Sequence, residues 1–247
     1  MKWLIGALLF LVGCGGVEHD FSGKKDFQAA LEAKTIIARK EGLNRALEQL
    51  LEANETAAVF RNLSNTFYLL GEAPWGIYYD YKALQLEPRN EQIQKQIDRM
   101  AEELKLPVKS KENPFAPLIG WHQLLSVGEK FQLFLVGLLG LFVTLSLKIW
   151  RDWRWLWPLI AIFAVLSAFL GGSLLYTRYG APIEGILVKP AALYREPNRD
   201  ALLVNEEPLK AGLKLEILDE REAGEWLKIK TDRGEYGYIN YKAVRLL

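Results

Sequence analysis

The carboxylates that stand closest together in this 247-residue chain, Glu102-Glu103, Glu206-Glu207 and Asp219-Glu220, are sequence neighbours. Adjacent side chains on a helix or strand point in different directions, so no such pair converges on one substrate atom as a general acid and base must. The two histidines, His19 and His122, are far apart, and Cys14 is the only cysteine. That leaves no CxxC metal site, no disulfide framework and no nucleophile with a base beside it. No P-loop, GxSxG, HExxH or dinucleotide fingerprint is present. The chain is therefore expected not to be an enzyme, with no catalytic residues, no metal and no cofactor. Binding chemistry is better represented. Arg61, Asn65 and Tyr68 fall at spacings of four and three, with Asn62 adjacent, so a helix would carry them on one face. Arg61 would give charge-assisted bonds to a carboxylate, Asn62 and Asn65 would hold the amides of an extended peptide, and Tyr68 would add packing area. The same residues also fit a solvated surface with a structural asparagine. A second set, Tyr194, Trp226, Tyr236, Tyr238 and Tyr241, supplies the aromatics of a peptide or glycan groove, or equally those of a small β core.

The elements that must position these residues are divided by two apolar runs, Phe131 to Leu147 and Trp155 to Tyr176. Each comes close to the roughly 20 residues a helix needs to cross a bilayer, and neither carries a polar stripe. A membrane hairpin over 131–176 is expected. Lys148, Arg151 and Arg154 lie in the turn between the runs, and positive residues in short loops tend to stay in the cytoplasm, which would put both flanks on the opposite side. Trp150, Trp153, Trp155 and Trp157 crowd that turn as an aromatic belt would, and Tyr176 and Tyr179 mark the other boundary. Ala164, Ala168 and Gly172 form a small-residue face for the first helix or for a partner's helix. Residues 1–16, with Lys2, an apolar run from Trp3 to Val12 and then small residues, read as a secretory signal. Leu11-Val12-Gly13-Cys14 resembles the lipobox of bacterial lipoproteins, which would make Cys14 a lipidation site; the alternative is an ordinary signal in which Cys14 is incidental. With 31 basic and 30 acidic residues and no basic cluster in either flank, nucleic acid is not expected as a partner.

From Phe27 to Leu104 the apolar spacing is helical. Ala57 to Asn90, taken as a 34-residue unit, puts Phe60, Leu63, Ser64, Phe67 and Gly71 on a first helix and its end, and Gly76, Ala83 and Pro88 on a second. This resembles the tetratricopeptide repeat, with Asp80 where that repeat usually has an aromatic. A weaker copy upstream has Ala46, Leu50 and Ala53 on the second helix, Leu31 and Ile37 on the first, and Gly42 at the turn. A closing helix from Asn90 to Leu104, with Glu91, Gln94, Lys95, Asp98 and Glu102 as its polar face, reads as a solvated cap over repeats spanning 24–105. Three prolines then mark a linker, and Leu118 to Val127 reads as an interfacial helix, together covering 106–130.

The last part, 183–247, consists of short β-type runs separated by turn residues: Gly185 to Val188, Leu213 to Leu218, Trp226 to Ile229 and Gly237 to Ile239. Ala192-Leu193-Tyr194-Arg195-Glu196-Pro197, Gly224-Glu225-Trp226-Leu227-Lys228-Ile229, Gly234-Glu235-Tyr236-Gly237-Tyr238-Ile239 and the Asn240 to Val244 end resemble a bacterial SH3 domain. The expected fold is thus multi-domain: all-α tetratricopeptide-like repeats, a two-helix transmembrane hairpin and a small all-β SH3-like barrel.

In this order the segments resemble the BatE family of the bacterial aerotolerance operon, on the strength of Asn62-Leu63-Ser64-Asn65-Thr66-Phe67-Tyr68-Leu69-Leu70-Gly71, Ala83-Leu84-Gln85-Leu86-Glu87-Pro88 and the hairpin before the SH3-like segment. The resemblance implies a scaffold in the bacterial inner membrane, with both soluble parts periplasmic. It also implies von Willebrand factor A-type and other Bat operon membrane proteins as partners, in an envelope stress-tolerance complex. A different class of function is a cell-envelope sensor or peptidoglycan-binding protein acting through the SH3-like domain.

Overall fold

Helix starts and stops are written locally in the first third of the chain. The computed structural model describes residues 24–107, 124–151, 153–198, 200–221 and 224–247. Among these, five helices come first: α1 (Lys24–Glu32), α2 (Ile36–Leu51), α3 (Ala57–Leu69), α4 (Ala73–Leu86) and α5 (Glu91–Glu103). Thr35, Thr56 and Asn90 cap α2, α3 and α5 by accepting from the first free N–H groups, which a helix cannot satisfy internally. Gly71, at φ +86°, ends α3, and the Glu72 N–H returns to the Phe67 carbonyl at 2.9 Å. This is the left-handed stop that glycine alone adopts without strain.

The helices form two pairs in a common register. Ala30, Gly42, Leu43 and Ala46 in the first pair are matched, 34 positions later, by Ser64, Gly76, Ile77 and Asp80, and all eight are buried. The glycines explain the register, because each lets the second helix of a pair approach the first. A Cβ on Gly42 would lie 2.8 Å from the Ala30 Cβ, and one on Gly76 would lie 3.2 Å from the Ser64 carbonyl oxygen. The expectation of Gly42 at a turn, with Ile37 on a first helix, is corrected here. Both lie inside α2, and the break falls earlier, between Glu32 and Ile36, where no glycine or proline marks it.

Two apolar helices follow, α6 (Val127–Trp150) and α7 (Leu156–Leu175), continued by a π-helical turn over Tyr176–Gly180. Both are long and apolar enough to cross a membrane. The first begins four residues before Phe131, because Ser126 and Glu129 form a reciprocal capping box. They pack antiparallel through Gly137 on Ser167, Gly140 on Phe163 and Gly171 on Phe134. Of the two uses expected for Ala164, Ala168 and Gly172, packing by the first helix is not the one seen. A Cβ on Gly172 would meet nothing within 4 Å, and α6 occupies the neighbouring stripe Phe163, Ser167 and Gly171. At the tip, Lys148 lies over Trp157, Arg151 over Trp153, and Trp153 stacks on Trp155. At the open end, Lys130 Nζ donates to Thr177 Oγ1 at 3.3 Å, so the chain enters and leaves the pair side by side.

The C-terminal part is a five-stranded antiparallel sheet in the order β4-β3-β2-β1-β5, made of β1 (Ile183–Leu187), β2 (Lys214–Arg221), β3 (Trp226–Thr231), β4 (Tyr236–Asn240) and β5 (Val244–Leu246). Alternation along β3 and β4 turns Leu227, Ile229 and Ile239 onto a core shared with Leu187, Leu193, Leu209, Leu213 and Leu215. The long β1–β2 connection folds on itself through Ala191/Leu209 and Tyr194/Leu203, then joins β4 through Tyr194/Tyr238, covering what would otherwise be an open edge.

Helices and sheet meet directly. Ile77, Met100 and Ile186 are fully buried together, with Leu104, Leu106 and Leu247 around them. Leu106, the first residue of the expected linker, is therefore part of this seam. Lys210 Nζ donates to the Lys105 carbonyl at 3.1 Å, Lys214 Nζ lies 4.9 Å from the Tyr81 ring centroid, and Arg245 lies 5.2 Å from that of Trp75.

Candidate functional site

Helix α3 carries Arg61, Asn65 and Tyr68 on the face turned toward α5, and the two helices are stitched there by side chains. Arg61 donates to Gln92 Oε1 at 3.1 Å, Gln96 Nε2 donates to Asn65 Oδ1 at 2.8 Å and to Ser64 Oγ at 3.2 Å, and the Tyr68 hydroxyl donates to Glu103 at 2.9 Å. Between them lies a cavity of about 420 Å³ lined by Asn65, Tyr68, Gln92, Lys95, Gln96, Arg99 and Met100. The structure thus brings three of the four expected residues, Arg61, Asn65 and Tyr68, into contact with α5, and two of them, Asn65 and Tyr68, line the cavity. Asn62 does not line the cavity; its carbonyl accepts from the Thr66 hydroxyl at 2.8 Å.

The electrostatics of the groove are cationic with local compensation. Lys95 pairs with Glu91 at 3.4 Å and Arg99 with Glu103 at 3.7 Å, both one helical turn apart, and Arg99 lies 5.3 Å from the Tyr68 ring centroid. These pairs are exposed and contribute little to stability. Gln92, Gln96 and Arg99 are missing from the site expected on sequence, where α5 is only a solvated cap. A signal for them exists: Gln92, Gln96, Arg99 and Glu103 run at spacings of four, three and four beside the buried stripe Ile93, Ile97 and Met100.

On α4, close enough to feel Ser64 and Arg61 of α3, sits Asp80. It is 0% exposed, and neither carboxylate oxygen makes a well-formed hydrogen bond among the described residues, although the Ser64 hydroxyl lies near enough to favour the charged form. Burial pushes its carboxyl up to about 7, against the opposing pull of the Ser64 hydroxyl and the Arg61 guanidinium.

The five aromatics of the sheet part company. Trp226 is 4% exposed and meets Tyr194 edge-on at 5.5 Å, so it is packing rather than open surface. Tyr194 and Tyr238 are joined by two backbone hydrogen bonds of 2.9 and 2.7 Å. Tyr236 and Tyr241 are exposed, at 54% and 44%, with Lys230 over the Tyr236 ring. Cys14, His19 and His122 lie outside the described residues. Among the described residues no three His, Cys, Asp or Glu side chains gather as metal ligands would.

Compared with known proteins, the chain matches no family model and no curated protein.

Proposed function

We propose that this protein is a membrane-anchored, non-enzymatic scaffold whose helices α1–α5 are tetratricopeptide-type repeats that bind a protein partner in the groove between α3 and α5. The observation that carries this reading is the groove itself: amide donors and acceptors from Asn65, Gln92 and Gln96 alternate with Lys95, Arg99 and the aromatic face of Tyr68. Such a surface suits an extended acidic peptide, with amides for its backbone and cations for its carboxylates. With the SH3-like sheet and the hairpin, the order of parts supports a BatE-type protein of the bacterial inner membrane, soluble parts periplasmic, acting with von Willebrand factor A-type and other Bat operon membrane proteins in envelope stress tolerance.

The test is capture of a detergent-solubilised von Willebrand factor A-type partner by the full chain. Lys95→Glu combined with Arg99→Glu reverses the groove's charge at two exposed positions and should weaken capture at least about tenfold, since each close charge pair contributes on the order of 1 kcal/mol or more at an interface. Capture at wild-type strength by that variant would remove the groove from the function.

A second reading is supported by the exposure of Tyr236 and Tyr241: the SH3-like sheet binds peptidoglycan or a proline-rich peptide. Retention on purified cell wall that falls in a Tyr236→Ala, Tyr241→Ala variant would favour it, and retention no better than a control protein's would end it.

A further inference from the structure

The two helix pairs share a register but not a chemistry. Where the first places Ala30 and Ala46, the second places Ser64 and Asp80, all fully or nearly fully buried. A buried carboxylate without a partner either stays neutral or recruits a cation, because an isolated charge in an apolar interior is strongly disfavoured. From α3, the Ser64 hydroxyl and the charge of Arg61 act on Asp80. From α5, Gln96 reaches Ser64 with an uncharged amide, and on α4 itself Tyr79 and Tyr81 stand on either side in sequence. Arg61 is at the same time the residue that ties α3 to the first turn of α5, through Gln92.

We propose that Asp80 is a proton-controlled latch on the α3–α5 groove. Protonated, it allows α5 to close on α3 with Arg61 turned outward to Gln92. Ionised, it draws the Arg61 guanidinium inward and off Gln92, which removes the tie on the first turn of α5 and loosens that end of the groove. Its titration near neutrality follows from burial outweighing the pull of Arg61. That the groove receives a partner rests on the function proposed above; the latch itself does not.

Backbone hydrogen exchange of the full chain in detergent micelles reads the latch without any partner. After correction for intrinsic base catalysis, α5 amides from Ile93 to Ile97 should exchange about tenfold faster at about pH 8 than at about pH 6, while those of α7 stay unchanged. Asp80→Asn mimics the protonated acid and Asp80→Ala copies Ala46; in both the two rates should agree within about twofold. Arg61→Gln removes the guanidinium that ionised Asp80 draws inward, so the pH response of α5 should be lost in this variant as well. An α5 that does not respond to pH in the wild-type chain, a response that persists in both Asp80 variants, or a response that persists in Arg61→Gln overturns the latch. Partner capture does not enter this measurement, so failure here and failure of the scaffold reading remain distinguishable.

Discussion

Asp80 ties stability to pH in a direction opposite to that of most carboxylates. A salt-bridged carboxylate stabilises a fold at neutral pH and is lost in acid, whereas Asp80 is raised from 3.8 to about 7 by burial. Its folded form therefore holds the proton more tightly than the unfolded chain does. The stabilisation is fully present below about pH 4 and fades as pH rises to about 7. The loss amounts to about 4 kcal/mol, because each tenfold gain in proton affinity on folding is worth about 1.4 kcal/mol. Asp80→Ala should remove that slope and leave helices α3–α5 more resistant to proteolysis in urea at about pH 8 than the wild-type chain, because a charge in that buried place costs more than its attraction to Arg61 returns. A wild-type chain whose resistance does not fall between those pH values would contradict this account. Gly42 gives a second expectation at this scale. A methyl group there meets the Ala30 side chain at 2.8 Å and its Cα at 3.2 Å, both rigid, so Gly42→Ala must push α1 from α2. The expected loss is about 1–3 kcal/mol, offset in part by the helical preference of alanine, and is read as faster hydrogen exchange in α1.

At the scale of elements, the strands and apolar helices are legible in the sequence because their signals are local. Alternation around Trp226 to Ile229 and Gly237 to Ile239 marks β3 and β4, and the uninterrupted apolar runs mark α6 and α7. The Ser126–Glu129 box is also written in the sequence, yet the apolar run by itself draws the boundary to Phe131. The groove on α3 is half legible. Arg61, Asn65 and Tyr68 share a face by spacing alone, but their partners on α5 lie on one flank of its apolar stripe Ile93, Ile97 and Met100, and which flank meets α3 is set by tertiary packing. Asp80 stands out in the sequence as a departure from the repeat, and only tertiary packing shows that its place is an interior one. The hairpin supplies a test at this scale. Gly140 faces the Phe163 ring, which a Cβ would approach to 2.5 Å, whereas Gly172 faces open space. Gly140→Leu should separate α6 from α7 and lower the yield of a cysteine cross-link between them several-fold, and Gly172→Leu should leave that yield unchanged. Equal yields in the two variants would mean that α6 and α7 do not pack through Gly140.

For the whole molecule, what matters is that helices, hairpin and sheet are coupled where they meet. The Arg89–Glu129 ion pair joins the α4–α5 connection to the first turn of α6, and Ile186 and Leu247 bring the sheet against Ile77 and Met100. Gly212 sits at that seam with φ +93°, and a Cβ there would lie 2.9 Å from Leu104 and from Leu106 and 3.2 Å from Ile77. Gly212→Val combines a disfavoured backbone with three contacts that are too close, a cost of about 2–4 kcal/mol, and should undock the sheet from α4 and α5 without unfolding either. Exchange rising together at β1 and at the end of α5, with the Ile229 and Ile239 amides still protected, would show it; exchange rising throughout the sheet would mean that the sheet does not stand without the helices. The same seam constrains topology. Because the chain enters and leaves the apolar pair side by side and its flanks pack on each other, both soluble parts must lie on one side of any membrane that α6 and α7 cross. Alkaline phosphatase fused after Pro107, after Arg151 and after Leu247 should then report one compartment for the two outer fusions and the other for the middle one. With Lys148, Arg151 and Arg154 at the tip, the middle fusion should be the silent, cytoplasmic one. Active outer fusions direct the search for partners to the periplasm; an active middle fusion reverses it, and the groove between α3 and α5 would then have to be matched to cytoplasmic proteins.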